Sequence, residues 1–348
     1  MSSKSMELAD ESNKDFRKAF IQSQFCTKIQ KAPPSTDLSG RVMILTGATS
    51  GIGLRCVEHL LSLKLSHLIM AVRSVEKGRA VAKSFESQYP LAKIDVWELE
   101  MESYASIQAF CRKVDADLTR LDVAILNAGI TELSFHITPS TGHEKTLQVN
   151  YLSTFLLAIL MLPILKKKAP KGAPSRLTIV NSGVALEEKL PCRDMRPLLA
   201  ANDDEKILPY DAGTRYSDSK LLGQLFFVRL LKYLRPDDVI VNLVDPGFCK
   251  GTDLHRTAKG GLAFALSVMK TLTGRTMEAG AWTYVDAAVV KGKESHGCFV
   301  MDWEIRPFTH LIYTPEGETI MDVLWKETMA EFEFAGAQQI LEDFKNGA

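Results

Sequence analysis

Short apolar runs rich in Val, Ile and Leu recur along the chain at Val42–Leu45, His67–Val72, Ile94–Leu99, Val123–Leu126, Leu177–Val180 and Val239–Val244. Apolar residues at successive rather than alternate positions predict strands covered on both faces, as in a parallel sheet. Longer segments with helical periodicity lie between them, at Leu54–Leu65, Val75–Gln88, Ser103–Leu118, Thr146–Lys168 and Tyr216–Leu234. Strand and helix in alternation predict an α/β fold, a doubly wound parallel sheet with right-handed crossovers. No repeat or low-complexity linker divides this pattern, so a single domain is expected over residues 37–310. An N-terminal extension (1–36), closed by Pro33-Pro34, precedes it, and a C-terminal helical segment (311–348) follows.

Two stretches break the alternation. Residues 183–213 form a long insertion punctuated by Pro191, Pro197 and Pro209. Residues 248–275 carry a Gly260-Gly261 hinge and the apolar set Leu262, Phe264, Leu266, Met269 and Leu272. Long loops in compact domains are usually functional or disordered, and the second stretch stands where a substrate lid would. The most apolar segment, Tyr151–Leu165, contains Ser153 and Thr154 and ends on Pro163 and Lys166-Lys167-Lys168. It falls short of the roughly 20 apolar residues of a membrane span, so a buried helix and no membrane span are expected.

Composition narrows the chemistry. Of 348 residues, 46% are hydrophobic, and 42 Lys and Arg balance 42 Asp and Glu without blocks of like charge. That balance makes no electrostatic case for nucleic acid or acidic membranes, and a small-molecule substrate is expected. The six cysteines include no Cys-x-x-Cys and have neither disulfide-framework nor zinc-site spacing, so no metal is expected. Met1–Lys31 is polar and lacks a continuous apolar core, which argues against a secretory signal and for a cytoplasmic protein.

The chemistry begins at Thr46-Gly47-Ala48-Thr49-Ser50-Gly51-Ile52-Gly53, between the first strand and the first helix. Glycines there open backbone angles closed to other residues and let the first helical N–H groups face a pyrophosphate. About twenty positions on, where an acidic residue would grip the adenosine ribose, stands Arg73, with Lys77 nearby. A guanidinium pairs with a 2′-phosphate, which favours NADP(H) over NAD(H). The alternative is a solvated charge at a strand end.

Tyr-x-x-x-Lys occurs twice. Tyr89 is followed by Pro90 and is separated from Lys93 by a helix-to-strand junction, whereas Tyr216 and Lys220 lie one turn apart on a helical run. An ammonium beside the phenol is expected to lower its pKa towards the working pH. Val180-Asn181-Ser182-Gly183 projects a hydroxyl from the carboxyl edge of the sheet, where ligands bind, and Asn150 is a lone amide in an apolar helical segment.

With these residues in this order, the chain resembles the classical short-chain dehydrogenases/reductases. Thr46-Gly47-x-x-x-Gly51-x-Gly53, Asn127-Ala128-Gly129, Asn150, Ser182, Tyr216-x-x-x-Lys220 and Pro246-Gly247 carry the resemblance over about residues 38–305. Ala71-Val72-Arg73, Gly274-Arg275-Thr276 with Glu278 and Gly280, and Glu294-Ser295-His296-Gly297 are similar to the retinol-dehydrogenase-like branch. Phe20-x-x-Ser23-Gln24-Phe25, Pro33-Pro34 and the insertion before Tyr216 resemble versions common in fungal biosynthetic pathways.

The resemblance implies a Rossmann-type fold and NADP(H)-dependent interconversion of a carbonyl and an alcohol. Tyr216 would be the general acid or base. Lys220 would lower its pKa and bond the nicotinamide ribose, Ser182 would orient the carbonyl, and Asn150 would hold the helix geometry and a proton-relaying water. Gly47, Ser50, Gly51, Ile52, Gly53, Arg73, Glu100, Asn127, Gly129, Gly247 and Thr252 would contact the cofactor. Glu100 stands in place of the usual Asp at the adenine, Asn181 replaces the usual Ser before Ser182, and one extra residue precedes Thr252. The helices Thr146–Lys168 and Tyr216–Leu234 could form the family's four-helix homodimer contact, though a covered monomer fits as well. Phe248, Leu254, Leu262, Phe264 and Met269 suggest an apolar, mid-sized substrate or, equally, a lid packed on the core. A non-redox isomerase or cyclase, or an NADPH-binding sensor, are the alternatives on this scaffold.

Overall fold

Among the described residues, eight strands form one sheet: β1 (Val42–Thr46), β2 (His67–Val72), β3 (Lys93–Glu98), β4 (Val123–Leu126), β5 (Ser175–Val180), β6 (Val239–Asp245), β7 (Phe299–Met301) and β8 (Glu304–Arg306). The computed structural model describes residues 3–12, 21–187, 190–251 and 274–347. Strand order is β3-β2-β1-β4-β5-β6-β7-β8, parallel as far as β7, with β8 antiparallel to β7. Successive side chains sort to opposite faces. Ile44 and Ala124 join one apolar layer, whereas Met43, Leu45, Val123 and Ile125 join the other. This two-sided burial explains the unbroken apolar runs in the sequence. At the edge, β3 departs from it, with Lys93 and Glu98 exposed.

The β7–β8 hairpin has no counterpart among the strands read from sequence. Each strand is only three residues long, and the two-residue turn Asp302-Trp303 takes φ of 57° and 63° without the Asn-Gly or Asp-Gly that marks such turns.

Helices cover both faces: α1 (Gly51–Ser62), α2 (Val75–Glu86), α3 (Tyr104–Asp117), α4 (Lys145–Lys167), α5 (Ala212–Leu230), α6 (Met277–Val285), α7 (Pro315–Glu331) and α8 (Ala337–Asn346). Two begin earlier than their apolar periodicity suggests. Helix α1 starts at Gly51 after the extended Ser50, and α5 starts at Ala212, where Asp211 accepts the Thr214 N–H at 2.7 Å. Tyr216 therefore sits in the second turn of α5 rather than opening it.

By length and composition α4 could cross a membrane, with a mean hydropathy of 1.7 over its best window, yet 89% of that window is buried inside the protein. Its Tyr151 and Phe155 interlock with Phe226 of α5 at ring-centroid separations of 5.9 and 5.1 Å. The faces of α4 and α5 expected to make a four-helix dimer contact are covered by the chain's own C-terminal helices. Trp325 of α7 stacks on Phe226 at 4.9 Å, and Leu341 and Phe344 of α8 are buried in the same layer.

Both flanking stretches are built into this core. In the 183–213 insertion, Leu190, Cys192, Leu198 and Leu199 are buried, and the Glu327 carboxylate accepts the N–H groups of Leu198 and Leu199, each at 2.8 Å. Within the N-terminal extension, Ser5 donates to the Arg306 carbonyl at 2.6 Å and accepts from Phe299 N at 2.9 Å, strapping it to the β7–β8 hairpin. Residues 252–273, including most of the expected lid with Leu254, Leu262, Phe264, Leu266, Met269 and Leu272, lie outside the described residues.

Because Phe226 is fully buried between α4 and α7, Phe226→Ala should cost about 3–5 kcal/mol in urea unfolding. Leu91→Ala, at a position 97% exposed, should stay within about 0.5 kcal/mol of the parent.

Candidate active site

The carboxyl ends of β1, β2, β4, β5 and β6 open onto one cavity of about 580 Å³. Its floor is the turn after β1. Thr46 Oγ1 accepts the N–H groups of Asn127 and Ala128, both at 2.9 Å, and Asn127 Nδ2 donates back to the Thr46 carbonyl at 2.9 Å. A Cβ on Gly53 would lie 2.4 Å from the Gly47 oxygen and 2.6 Å from Asn127 Nδ2, so only glycine allows this approach. Gly51, at φ 58°, faces open space, leaving the start of α1 accessible from the cavity. Bare helix N-terminal backbone behind a glycine turn is a cradle for phosphate oxygens, and the residues present fit a dinucleotide.

Arg73 stands at the rim with Ser74 and Lys77, half exposed, its Nε 3.9 Å from Glu100 and its Nη1 3.5 Å from Glu102. Glu100 Oε1 accepts the Glu102 N–H at 3.1 Å.

Four polar residues converge on the opposite wall. Asn150 lies in the widened π turn Gln148–Ser153 of α4, where its Oδ1 accepts the Ile130 N–H and its Nδ2 donates to the Ile130 carbonyl, both at 2.8 Å. The same Nδ2 reaches Ser219 Oγ at 3.1 Å, so Asn150 ties the loop after β4 to α4 and α5. A Cβ on Gly129 would stand 3.2 Å from Asn150 Oδ1 and 3.8 Å from Lys220 Nζ. At the end of β5, Asn181 orients the next residue by accepting the Ser182 N–H at 2.8 Å while donating to the Lys220 carbonyl at 3.0 Å. Asn181 thus performs a scaffold task, and the Ser182 hydroxyl remains at the cavity.

The electrostatics correct one expectation. Tyr216 has its pKa raised by burial, a hydrogen bond from Ser182 opposing the shift and the nearby Asp245 reinforcing it. Lys220 does not lower it here. Its Nζ donates to the Val180 carbonyl at 3.1 Å and lies 5.7 Å from the Tyr216 ring centroid, and burial pushes its own pKa down to about 8. At neutral pH the phenol keeps its proton and the ammonium keeps most of its charge.

Sequence reasoning passed over Asp245, which is buried at the end of β6 and lines the cavity. Burial pushes its pKa up to about 6, against the Gly183 N–H that donates to Oδ1 at 3.0 Å. A carboxylate ending a strand that is apolar but for Asn242 was the available signal. Gln24 of the N-terminal extension also lines the cavity, and nothing in its local pattern points there. Tyr89 and Lys93 flank the α2-to-β3 junction, away from the site. Gly47, Ser50, Gly51, Ile52, Gly53, Arg73, Glu100, Asn127, Gly129, Ser182, Tyr216, Lys220 and Gly247 all line this one cavity, and Asn150 abuts it through Gly129. Thr252 lies outside the described residues.

Comparison with known proteins agrees with this geometry. A family model described as short chain dehydrogenase matches residues 41–188. Short chain dehydrogenase/reductase mfmJ of Annulohypoxylon moriforme is 52% identical over 330 residues, covering 95% of each chain. The chain belongs to the short-chain dehydrogenase/reductase family. Short chain dehydrogenase virL of Hypocrea virens is 39% identical, covering 94% of each chain. Among solved structures, carbonyl reductase Sniffer of D. melanogaster superposes with a TM-score of 0.56 at 19% identity, covering 77% of this chain and 99% of that one. NADPH-Dependent 3-Quinuclidinone Reductase from Rhodotorula Rubra gives 0.54 at 22% identity, covering 77% and 95%. These two likenesses show the shared fold. As a member of the family, this dehydrogenase/reductase is an oxidoreductase working with a nicotinamide dinucleotide.

The contact at Gly53 makes a direct test of the cradle. Gly53→Ala should lower stability by about 1–3 kcal/mol in chemical denaturation, the usual range for forcing atoms into a packed site. It should also weaken dinucleotide binding measured by fluorescence.

Proposed function

We propose that this dehydrogenase/reductase uses NADP(H) to interconvert a carbonyl and an alcohol on an apolar small molecule, with Tyr216 as general acid or base. The observation that carries this reading is the convergence of Ser182, Tyr216, Lys220 and Asn150 on the same cavity as the glycine cradle. When bound, NADPH supplies a hydride to the carbonyl carbon. The protein's part is position and the proton. The Ser182 hydroxyl holds the carbonyl oxygen, and the Tyr216 O–H bond breaks to give that oxygen its proton, completing the alcohol. A phenol whose pKa is raised suits the reductive direction at neutral pH, because its proton is present when needed. Lys220 and the Asn150 tether hold the geometry from behind, and Lys220 would also hold the nicotinamide ribose.

Arg73 supports the choice of NADP(H). Its ion pairs with Glu100 and Glu102, at 3.9 and 3.5 Å, are loose, and a 2′-phosphate offers the bidentate acceptor that they do not. Glu102 has another cation in Lys145 at 3.2 Å, so it is not left unpaired when Arg73 turns. Glu100 would face the adenine. The Rhodotorula Rubra reductase, which shares this fold, is likewise NADPH-dependent. The fungal relatives and the apolar Phe248 at the cavity favour a secondary-metabolite intermediate as substrate. With α4 and α5 covered by α7 and α8, a homodimer would need a surface other than the four-helix contact.

The reading is tested by following NADPH absorbance with a panel of lipophilic ketones. Tyr216→Phe should abolish turnover while retaining NADPH binding, whereas unchanged turnover would remove Tyr216 from the mechanism. Retained turnover in the native chain also separates a reductase from a sensor or an isomerase.

Arg73→Asp should shift the ratio of kcat/KM values towards NADH, and an unchanged ratio would refute its contact with the 2′-phosphate. Raising pH through about 8 should weaken NADPH binding as Lys220 loses its proton, and Lys220→Met should remove that inflection.

A further inference from the structure

The geometry points to residues Gln22–Cys26 as a clamp on the active-site loop after β6, with Gln24 as a positioning residue for the nicotinamide end of the cofactor. This rests on the dinucleotide reading given above. Three sets of contacts carry it. First, Gln24 lines the cavity, and its carboxamide, in the orientation that satisfies both ends, donates Nε2 to the Phe248 carbonyl at 3.1 Å and accepts the Phe248 N–H at Oε1 at 3.2 Å. That two-point bond engages both backbone polar groups of Phe248 from the extension.

Second, Arg275 pairs with the same loop through its backbone. Its N–H donates to the Phe248 carbonyl at 2.7 Å, and its own carbonyl accepts the Lys250 N–H at 2.9 Å. Its guanidinium lies under Gly247, where a Cβ would stand 2.8 Å from Nη1.

Third, the guanidinium is tied to the extension. Arg275 Nη2 donates to the Ser23 carbonyl at 2.5 Å, to Ser23 Oγ at 2.9 Å and to Asp302 Oδ1, while Ser23 Oγ donates to Asp302 Oδ1 at 2.9 Å. Ser23, Arg275 and Asp302 are all buried, so each charge depends on the others for its hydrogen bonds. The Arg275–Asp302 pair also anchors the β7–β8 turn, and the guanidinium lies 5.6 Å from the Trp303 ring centroid.

A loop held on one side by Gln24 and beneath by Arg275 keeps a single shape where Gly247 and Phe248 face the cavity. Segment 22–26 thus acts on the cofactor through the loop, at the end of the dinucleotide opposite Arg73. The consequence is a separation of the two ends. Loosening the clamp should affect NADPH, which reaches the loop, and spare 2′,5′-ADP, which occupies only the adenosine side.

The test measures the affinities of the full-length protein for NADPH and for 2′,5′-ADP by fluorescence and calorimetry, together with the melting temperature. Gln24→Ala and the similarly sized Gln24→Met should each weaken NADPH by about three- to ten-fold, the range set by losing a net hydrogen bond. Affinity for 2′,5′-ADP should remain within about two-fold, the limit taken as unchanged beside that effect. The proposal is overturned if NADPH affinity is unchanged in Gln24→Ala, if both ligands weaken equally, or if Gln24→Met binds like the parent, which would assign the effect to packing. A parent protein that binds NADPH but reduces no ketone would sink only the substrate reading, since the clamp is read from binding. A parent protein that does not bind NADPH would overturn both.

Discussion

Burial of the parallel sheet on both faces is the constraint from which the rest of the molecule follows. With helices on either side, β1, β2, β4 and β6 have no face on which a polar side chain can meet water, and their interiors are almost wholly apolar. Polar chemistry is consequently confined to the strand ends. Asn127, Ser182 and Asp245 all stand at or just beyond the carboxyl ends, so three separate connections deliver functional groups to one cavity, with Thr46 bracing Asn127 behind it.

Such a site depends on polar groups that hold one another. Thr46 and Asn127 join two loops, Asn150 joins a loop to two helices, and Asn181 joins β5 to α5. Asn150 and Asn181 each use both ends of the carboxamide, as burial requires. The residues that touch a ligand are thereby supported by residues that do not. Asp245 extends the pattern as a carboxylate sharing the cavity with Tyr216 and Lys220 and fixing the backbone behind Ser182.

The additions at the two ends of the chain cover different liabilities of the same sheet. Helices α7 and α8 cover the apolar faces of α4 and α5, and the N-terminal extension straps the β7–β8 edge and the loop after β6. Edge strands and exposed apolar helix faces invite association, and here the chain satisfies both from within.

Apolar runs and helical periodicity determined the six parallel strands, the intervening helices and the glycine turn, because side chains that must be buried on both faces leave a strong local signature. Motif order determined which polar residues meet, since Ser182, Asn150 and the Tyr216–Lys220 pair are fixed to elements whose place in a doubly wound sheet is predictable. Only the tertiary structure decided the direction of the Tyr216 pKa, because burial and the turning of Lys220 towards Val180 outweigh one-turn spacing along a helix. It also decided the roles of Gln24 and Asp245 and the covering of α4 and α5. Gln24 and Phe248 are joined by contacts between segments more than two hundred residues apart, and no local pattern records which distant backbone a side chain will bond.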